Sequence, residues 1–310
     1  MKTISVLLLA LALVACNKDP AEVKADVAKA MGAGDYAEAE EGLRWLLERD
    51  PKNTMTQANL AFALTSQGKD AEALAIYARL VEGGEGTYDL FAFYARSLAA
   101  VGRNDEAITW NYRALSLVPQ LVDVRGNLAK VLVKQGRGYE ALSLLTSFDD
   151  ELQAKGQKPY FRGQRMSIAS ALPRSPAASG KSALFNAVGI GGHFYAVVIG
   201  KDDESLPFLI DTGASHTTMS REVLAMLGLS VPASAHSVRM QAADGYVVVG
   251  RQFAVPMLRV GPFALENQQV VVCDDCVSLL GQSTLERFDL QTTQKDGLEM
   301  LSLRLRPAGP

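Results

Sequence analysis

An aspartate that follows an apolar stretch is the side chain best placed for chemistry in this sequence. The segment FLIDTGAS, residues 208–215, puts Asp211 directly after three apolar residues and before a short turn. Gly213 permits a tight turn, and the hydroxyls of Thr212 and Ser215, with nearby backbone N–H groups, can orient the carboxylate. The pattern therefore indicates an oriented carboxylate, a group that can give and take protons, at the end of a strand.

Two further segments lie downstream of Asp211. The segment MQAADGYVVV, residues 240–249, alternates around Asp244 and Gly245, which is a hairpin signal. The segment SLLG, residues 278–281, is followed by STLERFDL at residues 283–290. With the apolar Asp-Thr-Gly-Ala-Ser segment, these elements resemble the retroviral-type aspartic peptidases, or retropepsins. In that family an apolar pair and a glycine lie beside the catalytic loop, and a hairpin forms a flap.

The resemblance implies catalysis by a pair of carboxylates that share one proton, with no cofactor, no metal and no covalent intermediate. The chain has one such motif, and Asp289, the only later aspartate after a similar stretch, has no Thr-Gly behind it. The resemblance therefore implies a homodimer in which two copies of Asp211 meet. In the active-site loop, Thr212 would brace the two copies, and Gly213 and Ser215 would keep the carboxylates coplanar. Ala214 would belong to the same supporting loop. Asp244 and Gly245 would belong to a flap that closes over an extended peptide substrate.

The first half of the chain contains a repeat. The segments GDYAEA, GKDAEA, GRNDEA and GRGYEA begin at residues 34, 68, 102 and 136, a constant spacing of 34. Glycine allows the turn between two helices, the acidic residues suit the first turn of the next helix, and alanine permits close helix contact. The repeat resembles the tetratricopeptide repeat, which implies an all-α solenoid over residues 16–155 with a concave groove for a protein partner.

Polar side chains at the phase of the repeat that lines such a groove could clamp a carboxylate or a peptide backbone. They are Asn59, Arg96, Asn127, Lys130 and Lys134. The alternative is that these residues form a solvated helix face.

The amino-acid composition changes after the repeats. No acidic residue occurs between Glu151 and Asp202, and residues 172–180 are rich in Pro, Ser, Ala and Gly, which is typical of a linker. Short apolar runs separated by Gly, Pro and Asp follow, and they predict strands. We therefore expect a linker over residues 156–180 and an all-β, retropepsin-like domain over residues 181–306.

The N-terminus has the order of features found in an export signal. Lys2 precedes an apolar run over residues 4–14, which is too short to span a bilayer as a helix. The run ends in LVAC, residues 13–16, and resembles a bacterial lipobox. The resemblance implies a signal peptide over residues 1–15, a lipid on Cys16 and a periplasmic location. Asn17 favours the outer membrane over the inner one, and an ordinary secretory signal is the alternative.

The other two cysteines, Cys273 and Cys276, have a spacing compatible with zinc, with redox chemistry or with a local disulfide. Tetrahedral zinc needs two more ligands, and the three histidines show no ligand spacing, so no metal is expected. In an exported protein a disulfide is the favoured state. A net charge of −3, from 31 basic and 34 acidic residues, without a dense basic run, argues against nucleic acid as a partner.

The sequence thus predicts a multidomain protein, an all-α repeat solenoid followed by an all-β acid-protease domain. The leading hypothesis is a lipid-anchored periplasmic aspartic endopeptidase whose repeats recruit substrate or a partner. One alternative is a non-catalytic repeat adaptor whose β domain serves dimerisation or peptide binding. Another is a peptidase that processes only its own linker.

Overall fold

The computed structural model describes residues 19–172, 184–189, 192–241, 245–274, 276–295 and 298–306. Cys16 and Asp244 lie outside these ranges. The chain divides into two compact units, one of residues 1–86 with 100–102 and one of residues 87–99 with 103–310. Among the described helices, none is long and apolar enough to cross a membrane.

The first unit consists of two helical hairpins. Its helices are α1 (Pro20–Ala33), α2 (Tyr36–Arg49), α3 (Thr54–Ser66) and α4 (Asp70–Glu82). Side-chain oxygens cap the first three helices, since Asp19, Asp35 and Asn53 each accept a hydrogen bond from a backbone N–H in the first turn. Glu40 of α2 is held by Lys69, Gln67 and Arg44. Burial opposes its ionisation, but these bonds outweigh it and lower the pKa of Glu40 to about 2.

The second unit begins with five helices: α5 (Tyr88–Ala100), α6 (Asn104–Leu117), α7 (Val122–Lys134), α8 (Gly138–Ala154) and α9 (Arg162–Ala171). The predicted repeat is confirmed at its two key positions. All four repeat glycines, at residues 34, 68, 102 and 136, have left-handed φ angles between 72° and 81°. The four repeat alanines, at residues 39, 73, 107 and 141, are completely buried. The helical repeats occupy residues 20–154.

The predicted linker of residues 156–180 differs from the structure in part. Residues 162–171 form helix α9, which packs on α8 through Ile168 and Ala169. The Pro and Ser content that suggested a linker is concentrated in residues 173–180, which lie outside the described ranges. Helix α9 is short and mostly polar, so its composition in the sequence resembles that of a linker.

The C-terminal part of the second unit contains two sheets. One has the order β1 (Leu184–Val188), β10 (Leu298–Leu305), β9 (Phe288–Lys295), all antiparallel. The other consists of β2 (Tyr195–Ile199), β3 (Ser205–Ile210), β4 (Thr217–Met219), β5 (His236–Gln241), β6 (Val247–Val260), β7 (Phe263–Val272) and β8 (Leu279–Leu280).

The seven strands run in the order β2-β3-β8-β4-β7-β6-β5. Because β2 also pairs with β6, at Val198 and Val260, the sheet curls back on itself. A single apolar core that includes Phe185, Phe208 and Phe288 fills the space between the two sheets. Two short helices, α10 (Arg221–Met226) and α11 (Gln282–Leu285), complete this β-rich part, which confirms the predicted all-β class of the C-terminal domain.

Polar contacts join α8, the last repeat helix, and the following helix α9 to strands β2 and β3. Thr146 Oγ1 of α8 donates to Ser205 Oγ at 3.0 Å, and Ser143 Oγ donates to the Tyr195 carbonyl. Arg165 Nη1 of α9 donates to the Ser205 carbonyl at 3.2 Å, and its Nε lies 2.9 Å from Oδ2 of the fully buried Asp149. Through these contacts α8 and α9 pack against the β-rich part, so the end of the helical region forms part of the same structural unit.

We predict that Arg165→Met lowers the free energy of unfolding by about 3 kcal/mol, because it leaves the carboxylate of Asp149 buried without its cation. Urea unfolding followed by circular dichroism measures this loss. The matched control is Arg162→Met on the same helix, since Arg162 is exposed and makes no ion pair with any described residue. The control should change stability by less than about 0.5 kcal/mol. Equal losses in the two variants would contradict a structural role for the buried pair.

Candidate active site

Asp211 lies immediately after β3, the strand that the last repeat helices brace. Its backbone N–H donates to the carbonyl of Leu280 at 3.1 Å, and β3 pairs in parallel with the two residues of β8. Its carboxylate is half-buried, and Oδ1 accepts the N–H of Gly213 at 2.8 Å. The turn after the strand thus holds the carboxylate through the backbone.

Gly213 leaves room for this bond. A Cβ at this position would lie 3.3 Å from Asp211 Oδ1, in a tight contact with the carboxylate. Thr212, Gly213 and Ser215 are exposed, and the hydroxyls of Thr212 and Ser215 make no hydrogen bond within the part of the chain that is described. The turn therefore presents unused hydroxyls around the carboxylate in the single chain.

Residues 282–283 donate hydrogen bonds to three backbone carbonyls of this loop. The N–H of Gln282 donates to the Ala214 carbonyl at 2.8 Å, and the side-chain amide of Gln282 donates to the Thr212 carbonyl at 2.7 Å. The N–H of Ser283 donates to the Ser215 carbonyl at 3.1 Å. Residues 282–283 therefore fix the path of residues 212–215.

Thr217 secures the same segment from the other side. Its Oγ1 is completely buried, donates to Thr284 Oγ1 at 2.7 Å and accepts the N–H of Gly281 at 3.1 Å. Its backbone N–H donates to Ser283 Oγ at 2.9 Å. The downstream segment was predicted from the sequence, but a role for these hydroxyls was not. Their signal in the sequence is the pair Ser283 and Thr284, which begins two residues after Gly281.

Gly281 is required by close approach of two backbones. A Cβ at this position would lie 2.3 Å from the His216 carbonyl oxygen and 2.8 Å from the Ala214 carbonyl oxygen. Its φ of −97° is open to any residue, so the requirement is one of space. We refer to residues 211–217 with residues 281–284 as the loop clamp.

The predicted hairpin is present as strands β5 and β6, paired from His236 with Gln252 to Gln241 with Val247. Gly245 at its tip has a φ of 87°, which favours glycine. Tyr246, Val247 and Val249 are exposed large apolar side chains on this hairpin.

Asp289, the later aspartate that lacks a following Thr-Gly, lies on β9 in the three-stranded sheet. Its Oδ1 is 2.8 Å from Arg306 Nε, and both side chains are exposed. The structure therefore places it on a different sheet from Asp211, where it is engaged in an ion pair.

The two remaining cysteines, Cys273 and Cys276, are joined by a disulfide. Cys273 is buried and directly follows β7, and the neighbouring Asp274 pairs with Arg221 at 2.6 Å. Within the described ranges, no group of three His, Cys, Asp or Glu residues is arranged to hold a metal ion.

The repeat helices of the second unit enclose a groove of about 670 Å³ between α5, α7 and residues 160–164. Four of the predicted groove residues line it, namely Arg96, Asn127, Lys130 and Lys134. The fifth, Asn59, lies exposed on α3 in the first unit. Tyr160 and Gln164 also line the groove. This was not predicted, because both residues were assigned to the linker.

Arg125 holds one side of this groove in place. It is buried in α7, and its guanidinium donates to the carbonyls of Leu144 and Pro119 at 2.9 and 2.8 Å. Burial lowers the pKa of Arg125 to about 10, so it stays charged at neutral pH. A charged guanidinium thereby ties α7 to α8.

Comparison with known families agrees with both parts of the chain. Residues 196–294 match the aspartyl protease family, and residues 30–89 match the tetratricopeptide repeat family. The chain combines tetratricopeptide repeats with a retropepsin-like domain. Among curated proteins, no significant match to the chain is found.

Solved structures similar to the chain fall into the same two groups. A retropepsin-like aspartic protease from Rickettsia conorii is 23% identical, with 40% of this chain and 92% of that chain covered and a TM-score of 0.32. MamA from Desulfovibrio magneticus is 17% identical, with 44% and 77% covered and a TM-score of 0.41. A tetratricopeptide repeat protein from Parabacteroides merdae is 20% identical, with 48% and 57% covered and a TM-score of 0.41.

We predict that Gly281→Ala lowers the free energy of unfolding by about 3 kcal/mol, because the new methyl group meets two carbonyl oxygens of the loop clamp. Urea unfolding gives the loss directly. Gly163→Ala is the matched control, since no atom lies within 4 Å of its added Cβ and the residue is helical. The control should be unchanged or stabilised by about 0.5 kcal/mol. A Gly281→Ala variant as stable as wild type would refute the close-approach argument.

Proposed function

We propose that this chain is an aspartic-type endopeptidase that hydrolyses peptide bonds with a water molecule activated by two copies of Asp211 in a homodimer. The observation that carries the proposal is the geometry of Asp211, a half-buried carboxylate held by the Gly213 N–H inside the loop clamp. The match of residues 196–294 to the aspartyl protease family supports the same chemistry.

The homodimer supplies the second carboxylate. Two like charges about 3 Å apart cannot both ionise, so one Asp211 stays protonated and the other stays charged. The charged copy takes a proton from water as it attacks the peptide carbonyl, and the protonated copy donates to the leaving amine. The exposed Thr212 and Ser215, whose hydroxyls have no partner in the described part of one chain, are available to the second loop. Gly213 and Ala214 allow the two loops to approach.

The hairpin of β5 and β6 is the proposed flap over the substrate. Its exposed apolar side chains, Tyr246, Val247 and Val249, would exclude water from an extended peptide bound at the dyad. Asp244 and Gly245 would form the turn at its tip.

The groove of the repeats is the proposed recruitment site for a substrate or a protein partner. Lys130 and Lys134 make no ion pair with any residue in the described ranges, and they lie with Asn127 on one helix. Two cations beside an amide favour an extended segment that carries carboxylates. Binding there would raise the local concentration of substrate for the dyad.

The place of this activity is proposed from the N-terminal sequence. Lys2, the apolar run and the LVAC segment support removal of residues 1–15 and lipidation of Cys16. The enzyme would then be anchored in the outer membrane and act in the periplasm, where a disulfide between Cys273 and Cys276 is stable.

We predict that Asp211→Asn lowers kcat by at least about 10²-fold with the fold retained, because an amide cannot exchange the proton. Hydrolysis of fluorescently labelled casein measures the rate, and circular dichroism checks the fold. Asp289→Asn is the matched control, since it changes an exposed aspartate of the other sheet, and it should keep full activity.

Mixed dimers separate this proposal from its alternatives. Equal amounts of wild type and Asp211→Asn, allowed to exchange subunits, should lower the activity per wild-type chain to about half, because mixed dimers have one carboxylate. Unchanged activity would contradict the shared site. Inactive wild type would favour the non-catalytic adaptor, and fragments that end only in residues 156–180 would favour self-processing.

We predict that the double variant Lys130→Glu, Lys134→Glu raises KM for labelled casein about tenfold and leaves kcat unchanged, since it removes binding remote from the dyad. Steady-state kinetics at low salt separates the two constants. The control is Lys24→Glu, Lys29→Glu on α1, which makes the same change of charge at exposed positions outside the groove. An equal rise of KM in both variants would exclude a specific role of the groove.

A further inference from the structure

The disulfide between Cys273 and Cys276 closes the connection that leads into β8. Cys273 follows β7 directly, and Cys276 lies two residues before Ser278, so the bond spans the beginning of the connection over residues 273–278. This connection is the only path by which the chain enters β8 from β7.

Strand β8 and the end of this connection carry two of the bonds that position the catalytic strand. The carbonyl of Ser278 accepts the N–H of Leu209 at 3.0 Å, and the carbonyl of Leu280 accepts the N–H of Asp211 at 3.1 Å. Strand β8 lies between β3 and β4 and has only two residues, so the segments at its two ends also restrain its position. Gly281 and the loop clamp hold one end, and the disulfide connection holds the other.

Few other bonds restrain the connection. The N–H of Cys273 donates to the Met219 carbonyl at 3.3 Å, and Thr218 Oγ1 donates to the Val277 carbonyl at 2.7 Å. The ion pair of Asp274 with Arg221 is exposed at both ends, so it adds little. Val277 itself is exposed. The covalent bond is therefore a major restraint on the residues that enter β8.

The two sulfur atoms differ in access. Cys273 is 4% exposed, whereas Cys276 is partly exposed. A thiolate from solvent therefore reaches Sγ of Cys276 first.

We propose that Cys276 is a thiol-exchange site and that the Cys273–Cys276 disulfide positions Asp211 through β8, so that the peptidase is fully active only in its oxidised form. The statement about activity rests on the proposed function; the statement about the position of the strand does not. Cys273 and Cys276 are positioning residues, because they act on Asp211 through the backbone of β8.

The exchange uses a dithiol as reductant. A thiolate of the dithiol attacks Sγ of Cys276 and forms a mixed disulfide, while the protein S–S bond breaks and its electron pair leaves with Cys273, which takes a proton from water. The second thiol of the reductant loses its proton and attacks the mixed disulfide, which releases Cys276 as a thiolate that is then protonated. The dithiol ends as a cyclic disulfide, and the protein gains two electrons and two protons.

The test follows the full-length protein before and after treatment with dithiothreitol, with two readouts. The first is hydrogen exchange of the Leu209 and Asp211 amides, which requires no activity. Reduction should speed both by about tenfold, while amides in the middle of α7 keep their rates. The second is hydrolysis of labelled casein, where kcat should fall about tenfold and reoxidation with oxidised dithiothreitol should restore it.

The double variant Cys273→Ser, Cys276→Ser is the matched control. It should show the exchange rates of the reduced protein and no response to dithiothreitol. A double variant that keeps the exchange rates and kcat of the oxidised protein would overturn the positioning role. If reduction leaves both amides protected and kcat unchanged in an active protein, the proposal is overturned while the peptidase assignment stands. If the amides open but neither form cleaves casein, the positioning role is supported and the peptidase function fails.

Discussion

The close approach of the backbones at Gly281 is the constraint on which the candidate site depends. A Cβ at residue 281 would lie within 3 Å of the carbonyl oxygens of His216 and Ala214, so only glycine fits there. Only this proximity lets residues 282–283 reach the carbonyls of the loop after Asp211. The backbone of Asp211 is fixed by this loop and by Leu280, and its carboxylate accepts one further bond, from the Gly213 N–H, on Oδ1.

The rest of the β-rich part restrains the strand that leads to Asp211. Strand β3 is restrained at both of its ends. Its first residue, Ser205, receives bonds from Thr146 and Arg165 of the last helices, and the residue after its last, Asp211, donates to β8. A strand held at both ends delivers the carboxylate to one place, which general acid–base chemistry requires. The repeats are therefore joined to the site by packing and by hydrogen bonds.

Features encoded by local patterns were predictable from the sequence. The repeat was predictable because each left-handed glycine is required by a turn and each buried alanine by a close contact between neighbouring helices. The segment around Asp211 was predictable because it is a continuous motif. The contact of Arg165 with Ser205 joins residues 40 positions apart in sequence, and no periodicity signals it. Gln282 was missed for a related reason, since a side-chain amide that binds a carbonyl looks like any exposed polar residue. Helix α9 was assigned to the linker because it is short and mostly polar, and its packing on α8 is a tertiary contact that the sequence does not show.

The two functional surfaces of the chain also differ in how complete they are. The groove is formed by residues of a single chain, and both cations, Lys130 and Lys134, and carboxylates, Asp89 and Asp123, line it. The carboxylate site has one aspartate, with exposed hydroxyls of Thr212 and Ser215 beside it. A single carboxylate cannot serve at the same moment as the base for water and as the acid that the leaving amine needs. Peptide hydrolysis at this site therefore calls for a second copy of the chain, whereas binding in the groove calls for none.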